Sequence, residues 1–322
     1  MKKYIFKRIL ISIPVFIGIT LLVYILASSA PGSPAAMMVG GDLENLTPER
    51  IAAVEAALGL DKPVYIRYLK WLNQLLLGNF GISYRTGRQV LSMILERLWP
   101  TLLLTISATA VSTVIAVLLG VMSAYKPYSP WDYISSLLSY TGVSMPNFFV
   151  GLMIIYIFAV RLQILPSSGM YDSANATTIP GLLKHMILPM ITLCLQQIGS
   201  ILRQTRGSML ESLSNDFIRT SRAQGLSEFA VVFHHGLRNA LIPILTVLGG
   251  MFPFIIGGAV VTEQFFSWPG LGSLMVQSIN SRDYPMIMGE TVFIAVVILI
   301  GNVILDILYA YADPRIRFAR NT

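Results

Sequence analysis

The sequence predicts an all-α, polytopic membrane protein of about six transmembrane helices with both termini on the inner side. Of its 322 residues, 54% are hydrophobic and only 12% charged, about half the charge of an ordinary soluble domain. Mean hydropathy is +0.67. Long stretches free of Asp, Glu, Lys and Arg recur along the whole chain, each close to or beyond the roughly 20 residues that cross a hydrocarbon core of about 30 Å. Such a composition excludes a disordered, collagen-like or disulfide-rich chain. The one cysteine, Cys194, lies in an apolar run and reads as a small core residue.

The first span, about 9–30, follows Lys2, Lys3, Lys7 and Arg8. It is longer than the roughly 7 to 15 apolar residues of a signal peptide, so it reads as a retained anchor. An outer loop, 31–98, follows. In it, Thr47-Pro-Glu-Arg opens a helix that reaches Leu58, with a Thr cap and Pro at the first turn. A second helix around Val64 to Leu77 carries Tyr65, Tyr68, Leu69, Leu72 and Leu76 on one face. The remaining spans are 99–125, 133–160, 185–202, 239–262 and 284–305, all within a single transmembrane domain over 1–322. This arrangement puts Lys126, the Arg203 to Arg238 cluster and Arg315, Arg317 and Arg320 inside, and leaves Arg161, Lys184 and Arg282 in the short outer loops. That asymmetry follows the positive-inside rule and favours N-in, C-in. Span five carries Pro243, Pro253, Gly249, Gly250, Gly257 and Gly258, residues that either loosen a helix for bending or allow close packing.

The inner loop 203–238 is far longer than a connection between neighbouring spans requires. Ser214 or Asn215 can cap a short helix with Asp216 in its first turn, and Gly225 can end it after Gln224. Ser227 can cap a second helix from Glu228 that leads into span five. A helix, a bend and another helix between two spans make a knob suited to a groove in an inner-side partner, or an interfacial helix lying on anionic headgroups. In the first case Phe217 and Ile218 anchor by burial while Arg219 and Arg222 fix register with carboxylates.

Arg219-Thr-Ser-Arg-Ala-Gln-Gly225 with Leu226 resembles the cytoplasmic loop of bacterial ABC importer permeases. Arg219, Thr220 and Ser221 occupy the positions of the general EAA motif, and Leu237 and Arg238 those of its frequent LP. Those departures resemble the peptide and nickel branch, whose loop reads RTARAKGL and continues into RNALIP, matched by Arg238-Asn-Ala-Leu-Ile-Pro243. Similar to the same branch are Ala30-Pro-Gly-Ser-Pro-Ala35, Leu58-Gly-Leu-Asp-Lys-Pro63, Gly78-Asn-Phe-Gly-Ile-Ser83, Glu263-Gln-Phe-Phe-Ser-Trp-Pro-Gly-Leu-Gly272 and Arg282-Asp-Tyr-Pro285. The long first outer loop resembles the first permease of the usual pair.

The resemblance implies a pore formed with a second homologous permease, two cytoplasmic ABC ATPase subunits below and an extracytoplasmic peptide-binding protein that delivers cargo. ATP and Mg are then used by the partner subunits, and this chain binds no cofactor of its own. Asp216, Phe217, Ile218, Arg219, Thr220, Arg222, Ala223 and Gly225 are the expected ATPase-coupling residues. Cargo is an oligopeptide or dipeptide, with nickel or glutathione as alternatives, and motion follows alternating access.

Other chemistries find little support. The sequence has no Gly-x-x-x-x-Gly-Lys-Ser/Thr phosphate loop. His234 and His235 are adjacent and His185 is remote, which is not metal-ligand spacing. No catalytic residue is expected, and no nucleic-acid partner, because the basic residues sit at membrane boundaries facing lipid headgroups. A proton-coupled carrier using Glu290 and Asp306 is the alternative from another class. Asn147, Gln196, Gln197, Thr246 and Asn302 either line a substrate path or bond between helices. Glu263, Phe266, Pro269, Gly270 and Gly272 form an outer turn that is a gate, a contact for the binding protein or a structural cap.

Overall fold

The computed structural model describes residues 2–29, 62–172, 178–257 and 259–312. In chain order the helices are α1 (Lys2–Ser29), α2 (Val64–Leu76), α3 (Val90–Tyr125), α4 (Pro130–Ser144), α5 (Asn147–Ile154), α6 (Ile179–Ser214), α7 (Asp216–Ala223), α8 (Leu237–Gly250), α9 (Phe252–Gly257), α10 (Val260–Phe265), α11 (Leu271–Asn280) and α12 (Tyr284–Ala312). Ile155–Arg161 continues α5 as a π-helical turn, and Ala230–Gly236 leads into α8 as another. Among the described residues the only strand-like pairing is an isolated bridge between Ile82 and Gln89. The helix expected over 47–58 lies outside the described residues.

Contacts group the chain into two compact units, Met1–Leu98 with Leu274–Thr322, and Trp99–Ser273. The sequence suggests one domain because the length prior for water-packed cores does not apply to helices packed in lipid.

Among the described residues, Phe6–Ser29, Val90–Tyr125, Ile179–Ser214, Ala230–Phe265 and Tyr284–Leu305 are long and apolar enough to cross a membrane. The expected third span is instead two helices, Pro130–Ser144 and Asn147–Arg161, bent by 109°. The cause is local: Pro146 disfavours helical backbone at the residue before it, and Met145 is extended (φ −84°, ψ 128°). Helices α3 and α6 exceed their expected spans, starting at Val90 and ending at Ser214, since charged residues that bound an apolar stretch do not stop a helix.

In the first unit, α1 packs along α12, and α2 joins them through Tyr24, Tyr68 and Trp71, whose rings lie 5.4 to 6.2 Å apart. The Tyr68 hydroxyl shares a 3.0 Å hydrogen bond with Thr20. The buried face of α2 therefore runs through Tyr68 and Leu75, while Tyr65, Leu69 and Leu76 of the expected face are exposed. Both faces are apolar enough to qualify, and the aromatic contact with α1 selects one.

In the second unit, α6 is the central helix, buried along most of its apolar stretch where α3 is mostly not. Its Leu193, Cys194, Ile198, Ile201 and Leu202 meet Leu104, Ala108 and Ala116 of α3. Helix α4 packs tightly on α6 through Ser139 and Gly142. A Cβ on Gly142 would overlap the Leu195 carbonyl, and Ser139 Oγ donates to Gly199 O at 2.9 Å. This is the small-residue packing that lets membrane helices approach backbone to backbone. Span five breaks between α8 and α9 at Met251 and again before α10. Pro253 lacks the donor a continuous helix needs, and Thr105 Oγ1 reaches across from α3 to Ile255 O at 2.9 Å.

Candidate functional site

The polar segment after α6 has the expected form of helix, bend and helix, but starts later, because α6 stays helical to Ser214 through the buried stripe Thr205, Met209 and Ser212. Ser212 Oγ donates to Gly236 O at 2.9 Å, tying the end of α6 to the π-helical turn. Asn215 caps α7 with its backbone rather than its side chain, whose Nδ2 donates to Glu211 O at 3.0 Å. Gly225, at φ +75°, takes the left-handed conformation that turns the chain out of α7.

The sequence assigns Ile218 to a partner's groove, yet its side chain is wholly buried within this chain. With Ser221 it forms the inner face of α7, against α6 and the π-helical turn. Eight residues are too few for a helix to hold itself together in water, so this burial is what seats α7. The outer face presents Asp216, Phe217, Arg219, Thr220, Arg222 and Ala223. Arg222 donates to both oxygens of Glu228, at 2.9 and 3.3 Å, bracing α7 against the helix beyond the bend. Arg219 lies 3.7 Å from Asp216, both largely in solvent. Beside them Phe229, 73% exposed, stacks on Phe233 at 4.7 Å. The site therefore offers two exposed aromatics and two arginines on a rigidly seated bend.

Of the expected substrate-path residues in the Trp99–Ser273 unit, Asn147 and Gln196 bond to each other, while Gln197 and Thr246 bond elsewhere. Asn147 Nδ2 donates to Gln196 Oε1 at 2.5 Å, joining α5 to α6. Gln197 is buried, its Oε1 accepting from Ser112 Oγ at 2.8 Å. Thr246 donates to its own helix at Ile242 O, and both Thr246 and Asn302 are exposed. Interhelical bonding accounts for the Asn147, Gln196 and Gln197 geometry.

In the turn after α10, Glu263, Phe266, Gly270 and Gly272 are buried and only Pro269 is partly exposed. Glu263 accepts from Thr101 Oγ1 at 2.7 Å and from Ser273 N at 3.0 Å, and Trp268 Nε1 donates to Pro100 O at 2.9 Å. A Cβ on Gly270 would strike the Glu263 carboxylate and Thr101. The turn is thus a closed cap over the start of the 99–125 segment, and its partly exposed Pro269 is the one member of the set that reaches the surface.

Three polar clusters escape sequence reasoning. Asp132 at the head of α4 accepts from Arg206 Nε at 2.8 Å and Nη2 at 3.1 Å, and from Ser123 Oγ at 2.5 Å, linking α4, α6 and α3. Asp283, at the start of α12, accepts from Ser83 Oγ at 2.5 Å and Tyr84 N at 3.1 Å. That brings two separate sequence motifs, Gly78 to Ser83 and Arg282 to Pro285, into one contact. Burial, with the Asp283 carboxylate alongside, pushes the Tyr84 hydroxyl above its ordinary value. Buried His185 lies 3.0 Å from both Ser168 O and Asp172 Oδ1. The available signal was the same each time: a charged or titratable residue at the edge of an apolar run must find a partner. Among the described residues no group of His, Cys, Asp and Glu could hold a metal ion, and the side chain of Asp306 lies outside those described.

Comparison with known proteins identifies what carries this arrangement. The permease fold is shared with the MetNI methionine ABC transporter, with a TM-score of 0.53 at 15% identity over 69% of this chain and 97% of that one. The oligopeptide transport system permease protein AppB of Bacillus subtilis is 43% identical over 99% of this chain and all of its own length. The dipeptide transport system permease protein DppB of Alkalihalophilus pseudofirmus is 38% identical over 99% of this chain and 100% of its own. Residues 1–105 match the N-terminal component model of binding-protein-dependent transport systems. With residues 116–318 matching the main model, the chain belongs to the binding-protein-dependent transport system inner membrane components.

Proposed function

We propose that this chain is the first permease of a peptide importer, moving oligopeptides or dipeptides inward by alternating access while two ATPase subunits bind and hydrolyse ATP with Mg. A second homologous permease completes the pore, and an extracytoplasmic peptide-binding protein delivers the cargo. The relatives named for oligopeptide and dipeptide transport favour peptide over nickel or glutathione. In this reading the chain is N-in and C-in, and α7 faces the cytoplasm.

The observation that carries the reading is the seat of α7. One face is fixed to α6 by Ile218, and the other displays Phe217, Arg219 and Arg222 to a partner. A rigid helix with an apolar and cationic outer face transmits displacement from a partner groove to the helix on which it sits. Coupling then runs from ATPase closure through α7 into α6 and into α8. The chain contributes contacts and geometry, and the chemical energy comes from its partners.

The test is peptide uptake into proteoliposomes holding this chain, its second permease and the ATPases, with binding protein outside and ATP inside. Gly225→Pro forces the wrong backbone at φ +75°, and Arg219→Glu reverses an exposed charge. Both are expected to leave hydrolysis running while uptake falls. Normal uptake in both variants, or uptake by this chain alone under a proton gradient, contradicts the proposal.

A further inference from the structure

We infer that the Arg206 and Asp132 pair is a positioning device that carries displacement of α7 into the bent α4 to α5 pair; the inference rests on the transport reading above. Arg206 stands on α6 between its buried core stretch and the seat of α7, and its fork grips both oxygens of Asp132. Ser123 Oγ donates to the same carboxylate and accepts from Arg206 Nε at 3.0 Å. Tyr128 N donates to Asp132 Oδ2 at 2.9 Å, so the turn between α3 and α4 is held as well. At this level α3 and α6 pack closely, a Cβ on Gly120 falling 2.7 Å from Thr205 Cβ.

The chemistry explains why a salt bridge stands where an apolar contact would do. A largely buried ion pair adds little net stability over a well-packed apolar one. What a bidentate pair adds is fixed orientation: two parallel bonds resist both sliding and rotation of one helix against the other. Asp132 heads α4, which leads through the 109° bend to α5, where Asn147 bonds Gln196. Movement of the α6 end at Arg206 therefore passes to α4 at its first turn and onward to the bend. Without the fork, the first turn of α4 would lag when the α6 end shifts with α7, although Ser139 and Gly142 still hold the two helices farther along.

The experiment uses the whole importer in proteoliposomes and reads two numbers, peptide taken up and ATP hydrolysed. Arg206→Ala alone would leave a buried carboxylate uncompensated, so the variants are Arg206→Lys, which keeps the charge and loses the fork, and the double change Asp132→Asn with Arg206→Gln, which removes both charges. Expected are assembled complexes, basal hydrolysis within about twofold of the unaltered importer, and at least about a fivefold drop in peptide per ATP for the double variant, the lower end of ordinary coupling between sites. Arg206→Lys should fall between. An unchanged ratio overturns the inference, as does a proportional fall in uptake and hydrolysis or failure of both variants to assemble, each of which marks a purely structural pair. If the unaltered importer transports and the ratio holds, this inference alone fails; if the unaltered importer shows no ATP-dependent uptake, the transport reading fails and takes this inference with it.

Discussion

Replacing Ile218 with alanine removes the one fully buried apolar side chain of α7. An Ile→Ala change in a packed site costs about 2 to 5 kcal/mol. α7 spans only eight residues, and a helix of that length has almost no stability of its own. The cost therefore falls almost entirely on the seated state, and about 2 kcal/mol already changes the ratio of seated to unseated helix by about 30-fold. Hydrogen exchange of the Phe217 to Ala223 amides in the detergent-solubilised chain reads that ratio, because local opening sets the exchange rate. Exchange there should accelerate by about 30-fold or more in Ile218→Ala. Ile218→Val, which costs about 0.5 to 1.5 kcal/mol, should give a fraction of that. Amides at Leu193 to Ile201 in the core of α6 should not change. Acceleration of less than about threefold in Ile218→Ala would refute the claim that this side chain seats the helix.

Four further outcomes follow from the packing. Gly142→Val sets a Cβ onto the Leu195 carbonyl, so overpacking of about 1 to 3 kcal/mol should lower the thermal unfolding midpoint in detergent. Thr101→Val strips one donor from buried Glu263, which keeps Ser273 N, and takes the acceptor from Leu271 N, a loss of about 1 to 3 kcal/mol for the buried N–H left without its Thr101 partner, read by the same unfolding assay. Asp283→Asn weakens the hold on Ser83 and Tyr84 by about 1.5 to 3 kcal/mol, and trypsin should then cut faster at exposed Arg85 and Arg88. Arg222→Gln removes a half-exposed ion pair with Glu228 worth at most about 1 kcal/mol; the unfolding midpoint should barely move, so any large fall in uptake reports a lost partner contact.

The apolar spans and the helix after Asn215 were legible because each leaves a one-dimensional mark. Uninterrupted apolar length marks a span, and a cap, an acidic first turn and Gly225 mark α7. The 109° bend at Pro146 was written in the sequence too, but a single Pro inside an apolar stretch reads equally as a tolerated kink. Burial could not be read: Phe217 and Ile218 are adjacent apolar residues, and only the course of α6 past Arg203 decides that Ile218 turns inward. Glu263 misleads for the same reason. A carboxylate beside Phe, Trp, Pro and Gly suggests an exposed turn, whereas its donors Thr101 and Ser273 come from distant or later positions. Asp132 with Arg206, and Ser83 with Asp283, are pairs across 74 and 200 residues, separations at which no local pattern speaks.

The length of α6 has a mechanical consequence. At 36 residues it is about 54 Å long, well beyond a hydrocarbon core of about 30 Å. It is gripped closely by α4 at Gly199 against Ser139, and from there to Ser214 the rod extends about 22 Å. Pivoting by about 10° at that fulcrum sweeps the tip, with α7 on it, through about 4 Å. The leverage also works in reverse, so a small push on α7 arrives at the Gly199 crossing as a smaller but more forceful tilt. Such an arm tolerates changes of side chain far better than changes of length: one residue inserted between Gly207 and Ser214 would swing the tip about 100° around the axis, pointing α7 away from whatever it is built to meet.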